Sequence, residues 1–228
     1  MINKEVRALL PAWAACALAI IASRWEVGPL PYLGVPAYFI GTAGLGAWIM
    51  GHEYSHGTVA SLLTLPVPRR RVWAVKLAVA APMLAALAVL AHQFVRLDQG
   101  DLKLSAALFV LPPLVELFVA PWLTIVTRSP LAGVVFTFAA LGGSLAAGEW
   151  IGDWLYGFTN AVDAFRIAFM WWALGGLSAV GAILGWRTFA TLEVHEGRGA
   201  DVELPFAPGR TPAAAAVAGR RPLLRLIV

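Results

Sequence analysis

Charged residues are scarce in this sequence of 228 residues: 13% are Asp, Glu, Lys or Arg, whereas 60% are hydrophobic. A soluble domain has close to a quarter charged and half apolar residues. The shortage of charge therefore argues against a soluble domain and indicates a protein that lies in a lipid membrane. A formal net charge of +4 is explained by basic residues beside apolar spans, which orient a membrane protein. We expect no nucleic-acid partner.

Cysteine and lysine are scarce as well. Cys16 is the only cysteine, which excludes an intrachain disulfide and a metal cluster held by several thiolates. The three lysines are Lys4, Lys76 and Lys103. None of them follows a glycine, so the sequence has no G-x-x-x-x-G-K-S/T motif and cannot bind ATP through a P-loop.

Six apolar segments approach the length of about 20 residues that a membrane-spanning helix needs. They are residues 9–23, 33–50, 73–95, 104–127, 131–148 and 167–187. The sequence therefore predicts an all-α polytopic membrane protein with a six-span transmembrane domain over residues 1–187. Pro130, directly after Arg128 and Ser129, favours a tight hairpin between the fourth and fifth spans because proline suits the first turn of a helix.

Lysine and arginine are distributed unequally between the two sides of these spans. With the N-terminus in the cytoplasm, 13 basic residues fall inside and 4 outside. Since short cytoplasmic loops carry an excess of Lys and Arg, both termini are predicted to be cytoplasmic, with the protein in the cell membrane. Residues 188–228 would be a cytoplasmic tail. Its basic and apolar end, Arg220 to Val228, resembles a return to the membrane, so we expect further spans in a longer protein.

The sequence also predicts a surface helix, close contacts between helices and a buried acid. Residues 149–166 carry Trp150, Trp154 and Tyr156 and are expected to form a short helix on the outer membrane surface. Small residues four positions apart predict close helix contacts. They are Ala43, Ala47 and Gly51, then Ala139, Gly143 and Ala147, then Gly181 and Gly185. Glu116 is the one acid deep in a span, where a functional carboxyl and a structurally satisfied one both remain open.

A short motif follows the second span. His52-Glu53-Tyr54-Ser55-His56 spells H-E-x-x-H, in which two histidines on one helix face bind zinc and the glutamate activates a water molecule. A membrane-embedded zinc metallopeptidase is therefore an alternative interpretation. It needs a third ligand, and the later spans supply no aspartate in the Asn-Pro-Asp or Leu-Asp-Gly context of the site-2-type proteases.

A longer pattern covers the same residues. Glu53 is followed by Gly57-Thr58, where the sequence predicts a bend. Leu62-Leu63, Pro66, the arginines Arg69, Arg70 and Arg71, and then Lys76 come next. This order and spacing resemble the loop after the second span of ABC-2-type transporter permeases. In that pattern His52 and His56 have no part.

The resemblance implies a permease subunit, most often of an exporter, without catalytic residues or a cofactor of its own. Its residues 59–65 would be a coupling helix that lies in a groove of a cytoplasmic P-loop ATPase subunit, where ATP is bound. A second permease unit, identical or different, and membrane lipid would be the other partners. The family often begins with an amphipathic helix, and here Ile2, Val6, Leu9 and Leu10 fall on one helical face. A membrane protein with neither activity is the third interpretation.

Overall fold

The computed structural model describes residues 2–25, 33–58, 67–95, 102–157 and 161–192, with the backbone alone at 102–106 and 161. All of them belong to one unit, Met1–Val194. The described residues form six helices: α1 (Ile2–Ala22), α2 (Gly34–Ser55), α3 (Arg69–Phe94), α4 (Leu102–Thr127), α5 (Pro130–Tyr156) and α6 (Ala161–Thr191). The predicted all-α class is confirmed.

Five of the six helices are long and apolar enough to cross a membrane. They are α1, α3, α5, residues 107–127 of α4 and residues 162–191 of α6. The remaining helix, α2, carries five glycines among its 22 residues. The structure thus supports a membrane protein built of apolar helices.

The helices α2 and α4 lie at the centre of the bundle. α2 packs against α1, α3, α4 and α5, and α4 packs against α2, α3, α5 and α6. Twelve of the 22 residues of α2 are buried. Because protein covers so much of α2, this helix needs fewer large apolar side chains than a helix that faces lipid.

Two groups of buried side chains hold the bundle together. The larger joins α1, α2 and α3 around Ile20, Ile49 and Leu84, and reaches Phe189 on α6. The smaller joins α4 to α5 and α6 around Val115, Leu141 and Leu174. Buried polar groups between the helices therefore need partners within the protein.

The close contacts predicted from small residues are correct on α2 and α6 and wrong on α5. On α2, Ala43, Ala47 and Gly51 are buried. Gly181 and Gly185 of α6 lie against α4, and a Cβ at Gly181 would approach the Val119 side chain to 2.9 Å. On α5, however, Ala139 and Gly143 are exposed, because α5 turns a different face to its neighbours.

The connections at the ends of α5 can be compared with two further predictions. The hairpin is confirmed: α4 ends at Thr127, α5 begins at Pro130, and Arg128 between them has a left-handed φ of 53°. The separate outer helix at 149–166 is wrong. α5 continues through Trp150 and Trp154 to Tyr156, and α6 begins at Ala161, since the apolar and aromatic residues prolong the two spans.

Candidate functional site

The end of α2 is closed by a Schellman motif. The Gly57 N–H donates to the Tyr54 carbonyl at 3.2 Å, and the Thr58 N–H donates to the Glu53 carbonyl at 2.9 Å. This pair of bonds requires a left-handed residue just after the helix, which is usually glycine. Gly57 has a φ of +64°. The bend predicted at Gly57-Thr58 is therefore confirmed.

The same motif explains why Glu53 precedes Gly57-Thr58 by this spacing. In a Schellman motif the residue two positions beyond the helix end contacts the residue three positions before it, usually through apolar side chains. Here those residues are Thr58 and Glu53, and the Thr58 hydroxyl donates to Glu53 Oε2. The Glu–Gly–Thr pattern thus describes a helix end at which a carboxylate is held by its own cap.

Lys76 meets Glu53 from the second turn of α3. Its side chain is 1% exposed. The Lys76 ammonium donates to both carboxylate oxygens of Glu5 at 3.0 Å, to the Ile49 carbonyl at 3.1 Å and to Glu53 Oε1 at 3.4 Å. A buried ammonium is stable only when paired and fully hydrogen-bonded, and these contacts supply that environment from α1 and α2.

Lys4 completes the group, which we call the Lys76 cluster: Lys4, Glu5, Glu53 and Lys76. The Lys4 ammonium lies 3.3 Å from Glu53 Oε1, and its side chain is 57% exposed. Two carboxylates and two ammonium groups balance in charge. Burial alone would raise the pKa of Glu53, but the Thr58 hydroxyl and the Lys76 ammonium together bring that pKa below its ordinary value. Glu53 is therefore held as a carboxylate.

The predicted arginines lie at the beginning of α3 and have different surroundings. Arg69 donates a hydrogen bond to the Ala190 carbonyl near the end of α6, so it links two helices. Arg70 and Arg71 are exposed. Of the other predicted site residues, Leu62, Leu63 and Pro66 lie outside the described part of the chain, as does the predicted coupling helix at 59–65.

The Lys76 cluster joins the helices on either side of that segment to the N-terminal helix. Thr58 precedes residues 59–66, and α3 with Lys76 in its second turn follows them. Thr58 and Lys76 both contact Glu53, and Lys76 also pairs with Glu5 of α1. One set of polar contacts therefore joins α1, α2 and α3.

Sequence reasoning missed Glu5. The prediction placed Ile2, Val6, Leu9 and Leu10 on one apolar face, but Ile2 is 57% and Leu10 46% exposed, while Glu5 is 3% exposed. Glu5 and Leu9, four residues apart, form the face that packs inward. The available signal was Glu5 itself, an acid four residues before Leu9 and therefore on the same helix face. Its partner Lys76 is 71 residues away in the sequence and could not be found from spacing.

The zinc-site residues are not arranged around a metal. The His52 and His56 rings have centroids 5.9 Å apart, but the Glu53 carboxylate is turned into the Lys76 cluster. His52 Nδ1 lies 3.7 Å from Glu53 Oε1, beyond a hydrogen bond. In the described ranges, no group of three His, Cys, Asp or Glu side chains could hold a metal ion.

The chain was also compared with known proteins. No protein-family profile, curated protein or solved structure matches it. The resemblance to transporter permeases therefore rests on the order and spacing of residues from Glu53 to Lys76 in the sequence.

Replacing Lys76 tests the energetic role of the cluster. The Lys76→Met variant leaves the buried carboxylates of Glu5 and Glu53 without their shared cation, so we expect a loss of about 3–5 kcal/mol in unfolding free energy. The matched control is Lys4→Met, whose exposed ammonium should contribute less than about 1 kcal/mol. Thermal unfolding in detergent micelles measures both. Equal losses for the two variants would contradict the arrangement.

Metal analysis tests the alternative interpretation of His52 and His56. We expect the purified protein to hold no stoichiometric zinc after incubation with the metal and dialysis, because the described residues supply no third ligand beside His52 and His56. The variants Glu53→Gln and His52→Ala should give the same result. One zinc per chain in the parent protein, lost in His52→Ala, would instead establish a zinc site.

Proposed function

We propose that this chain is the transmembrane permease subunit of an ABC-2-type transporter, acting in export. The proposal is carried by one observation: the Lys76 cluster joins the end of α2, directly before residues 59–66, to α3, which follows them, and to α1. A permease without a P-loop must receive the work of ATP hydrolysis from another subunit. It therefore needs a cytoplasmic element whose movement is passed to several spans at once.

The proposed topology has six spans with both termini in the cytoplasm of a cell-membrane protein. The distribution of 13 basic residues inside against 4 outside supports it. α2 is buried among four neighbouring helices. This burial supports counting the glycine-rich α2 as a span, which brings the number of spans to six. In this orientation Gly57, Thr58 and Arg69 all lie at the cytoplasmic surface, where an ATPase subunit would contact the chain.

In the proposed mechanism, a P-loop ATPase subunit contacts residues 59–65 through Leu62 and Leu63. Closure of the ATPases on ATP pushes this segment toward the membrane. Because Thr58 and Lys76 both hold Glu53, the push reaches the end of α2 and the beginning of α3 together, and Glu5 transmits it to α1. Arg69 carries part of it to α6 through the Ala190 carbonyl. Two permease units, each driven in this way, would alternate between inward and outward access.

Site-specific photo-crosslinking tests this proposal. A photoreactive amino acid is placed at Leu63 in one variant and at Val135 in the matched control. Val135 is an apolar residue in the second turn of α5, within the predicted fifth span, and is 54% exposed. We expect ultraviolet light to link the Leu63 variant, expressed in its native host, to a protein that carries a P-loop, and the Val135 variant to link only to lipid or to membrane proteins.

A functional measurement completes the experiment. The captured ATPase is purified with and without this chain in lipid vesicles, and its rate of ATP hydrolysis is measured. We expect the rate to change when the parent chain is present and to stay at the level of the isolated ATPase with Leu62→Asp/Leu63→Asp. If Leu63 links to no P-loop protein, or Leu63 and Val135 link to the same one equally, the proposed function is wrong.

A further inference from the structure

Glu116 differs from every other buried charged residue in the described part of the chain. Glu5, Glu53 and Lys76 form ion pairs with one another. Glu116, on α4, is 0% exposed, and neither of its carboxyl oxygens has a hydrogen bond of ordinary geometry among the described residues. An isolated carboxylate in an apolar bundle is strongly unfavourable, so the negative charge must be balanced or removed.

Among the described residues, no group of His, Cys, Asp or Glu side chains around Glu116 could hold a metal ion. The α2 backbone packs closely on the Glu116 main chain at Gly46, where a Cβ would lie 2.5 Å from the Glu116 carbonyl oxygen and 2.8 Å from the Glu116 Cβ. A proton is the cation that requires no further protein ligands. A proton converts the carboxylate into a neutral acid and needs no cavity.

The nearby hydroxyls point to the same conclusion. A hydrogen bond donated by the Thr137 hydroxyl of α5 would favour the ionised form of Glu116, but the single proton of this hydroxyl is donated to the carbonyls of Gly133 and Val134 at 2.9 Å each. Its oxygen can then only accept a hydrogen bond from Glu116. An ionised Glu116 has no proton to donate to the Thr137 oxygen, whereas a protonated Glu116 can donate its O–H to that oxygen.

Tyr38 of α2 is the other titratable group that interacts with Glu116. Its hydroxyl proton is also donated to a backbone carbonyl. Pro113 has no N–H, so it cannot donate to the Phe109 carbonyl one turn earlier in α4. The Tyr38 hydroxyl donates to that carbonyl at 2.7 Å instead. Tyr38 is therefore also an acceptor toward Glu116. Within the described residues no lysine, arginine or histidine interacts with this carboxyl.

We propose that Glu116 is a proton-binding site inside the membrane: it holds a proton at neutral pH and donates it in a hydrogen bond to Thr137 Oγ1. The structure here shows the helices closed on it. A movement that parted α4 from α2 and α5 would admit water and favour release of the proton. This consequence for the transport cycle rests on the proposed function, but the bound proton does not.

Infrared difference spectroscopy tests the proton directly. We expect the spectrum of the parent chain minus Glu116→Gln at pH 7 to show the carbonyl band of a protonated carboxyl, shifted in heavy water. The control is Glu149→Gln, because the Glu149 side chain is 62% exposed and pairs with Arg166. The spectrum of the parent chain minus Glu149→Gln should show a carboxylate band. A carboxylate band for Glu116 as well would overturn the proposal.

A second pair of variants keeps Glu116 in place. Thr137→Val removes the acceptor and should move the protonated band to higher frequency, whereas Thr137→Ser retains a hydroxyl and should leave it nearly unmoved. An unmoved band in Thr137→Val would overturn the assignment. None of these spectra requires an ATPase, so a failure here is distinguishable from a failure of the proposed function.

Discussion

The energetic cost of placing an ammonium group inside a helix bundle governs the architecture of this protein. Lys76 is buried in the second turn of α3 and needs acceptors on every side. Glu5 supplies two, Glu53 one and the Ile49 carbonyl one, so α1, α2 and α3 are constrained to meet at this point. The apolar contacts around Ile20, Ile49 and Leu84 then pack the same three helices along their length.

This constraint also joins the end of α2 to the helix that follows it in the chain. Gly57 closes α2 in a left-handed conformation, and the Thr58 hydroxyl donates to Glu53. Thr58 and Lys76, which precede and follow residues 59–66 in the chain, thus contact one carboxylate. Glu116 shows the opposite solution to the same physical problem. Where Lys76 recruits counter-charges from two helices, Glu116 has none, and a bound proton removes the charge.

The sequence was sufficient for the features that local rules determine. Apolar runs gave the helices, Pro130 gave the hairpin, and Gly57-Thr58 gave the bend. Of the site, the sequence predicted only the order and spacing of residues along the chain, which identified Glu53 and Thr58 as a set with Lys76. Its burial and its pairing with Glu5 depend on how α1 packs, and the small-residue pattern on α5 failed for the same reason. Contacts between distant segments follow from the faces that helices turn to each other, which spacing alone does not determine.

The central claim is that Glu5 and Glu53, on different helices, act through one shared lysine. A double-mutant cycle measures this directly, with unfolding free energies determined for Glu5→Gln, Glu53→Gln and the double variant. Each single variant leaves Lys76 one carboxylate, whereas the double variant leaves it none. The account predicts that the double loss exceeds the sum of the single losses by about 0.5–3 kcal/mol. Strictly additive losses would show that the two carboxylates act independently, and would contradict the account.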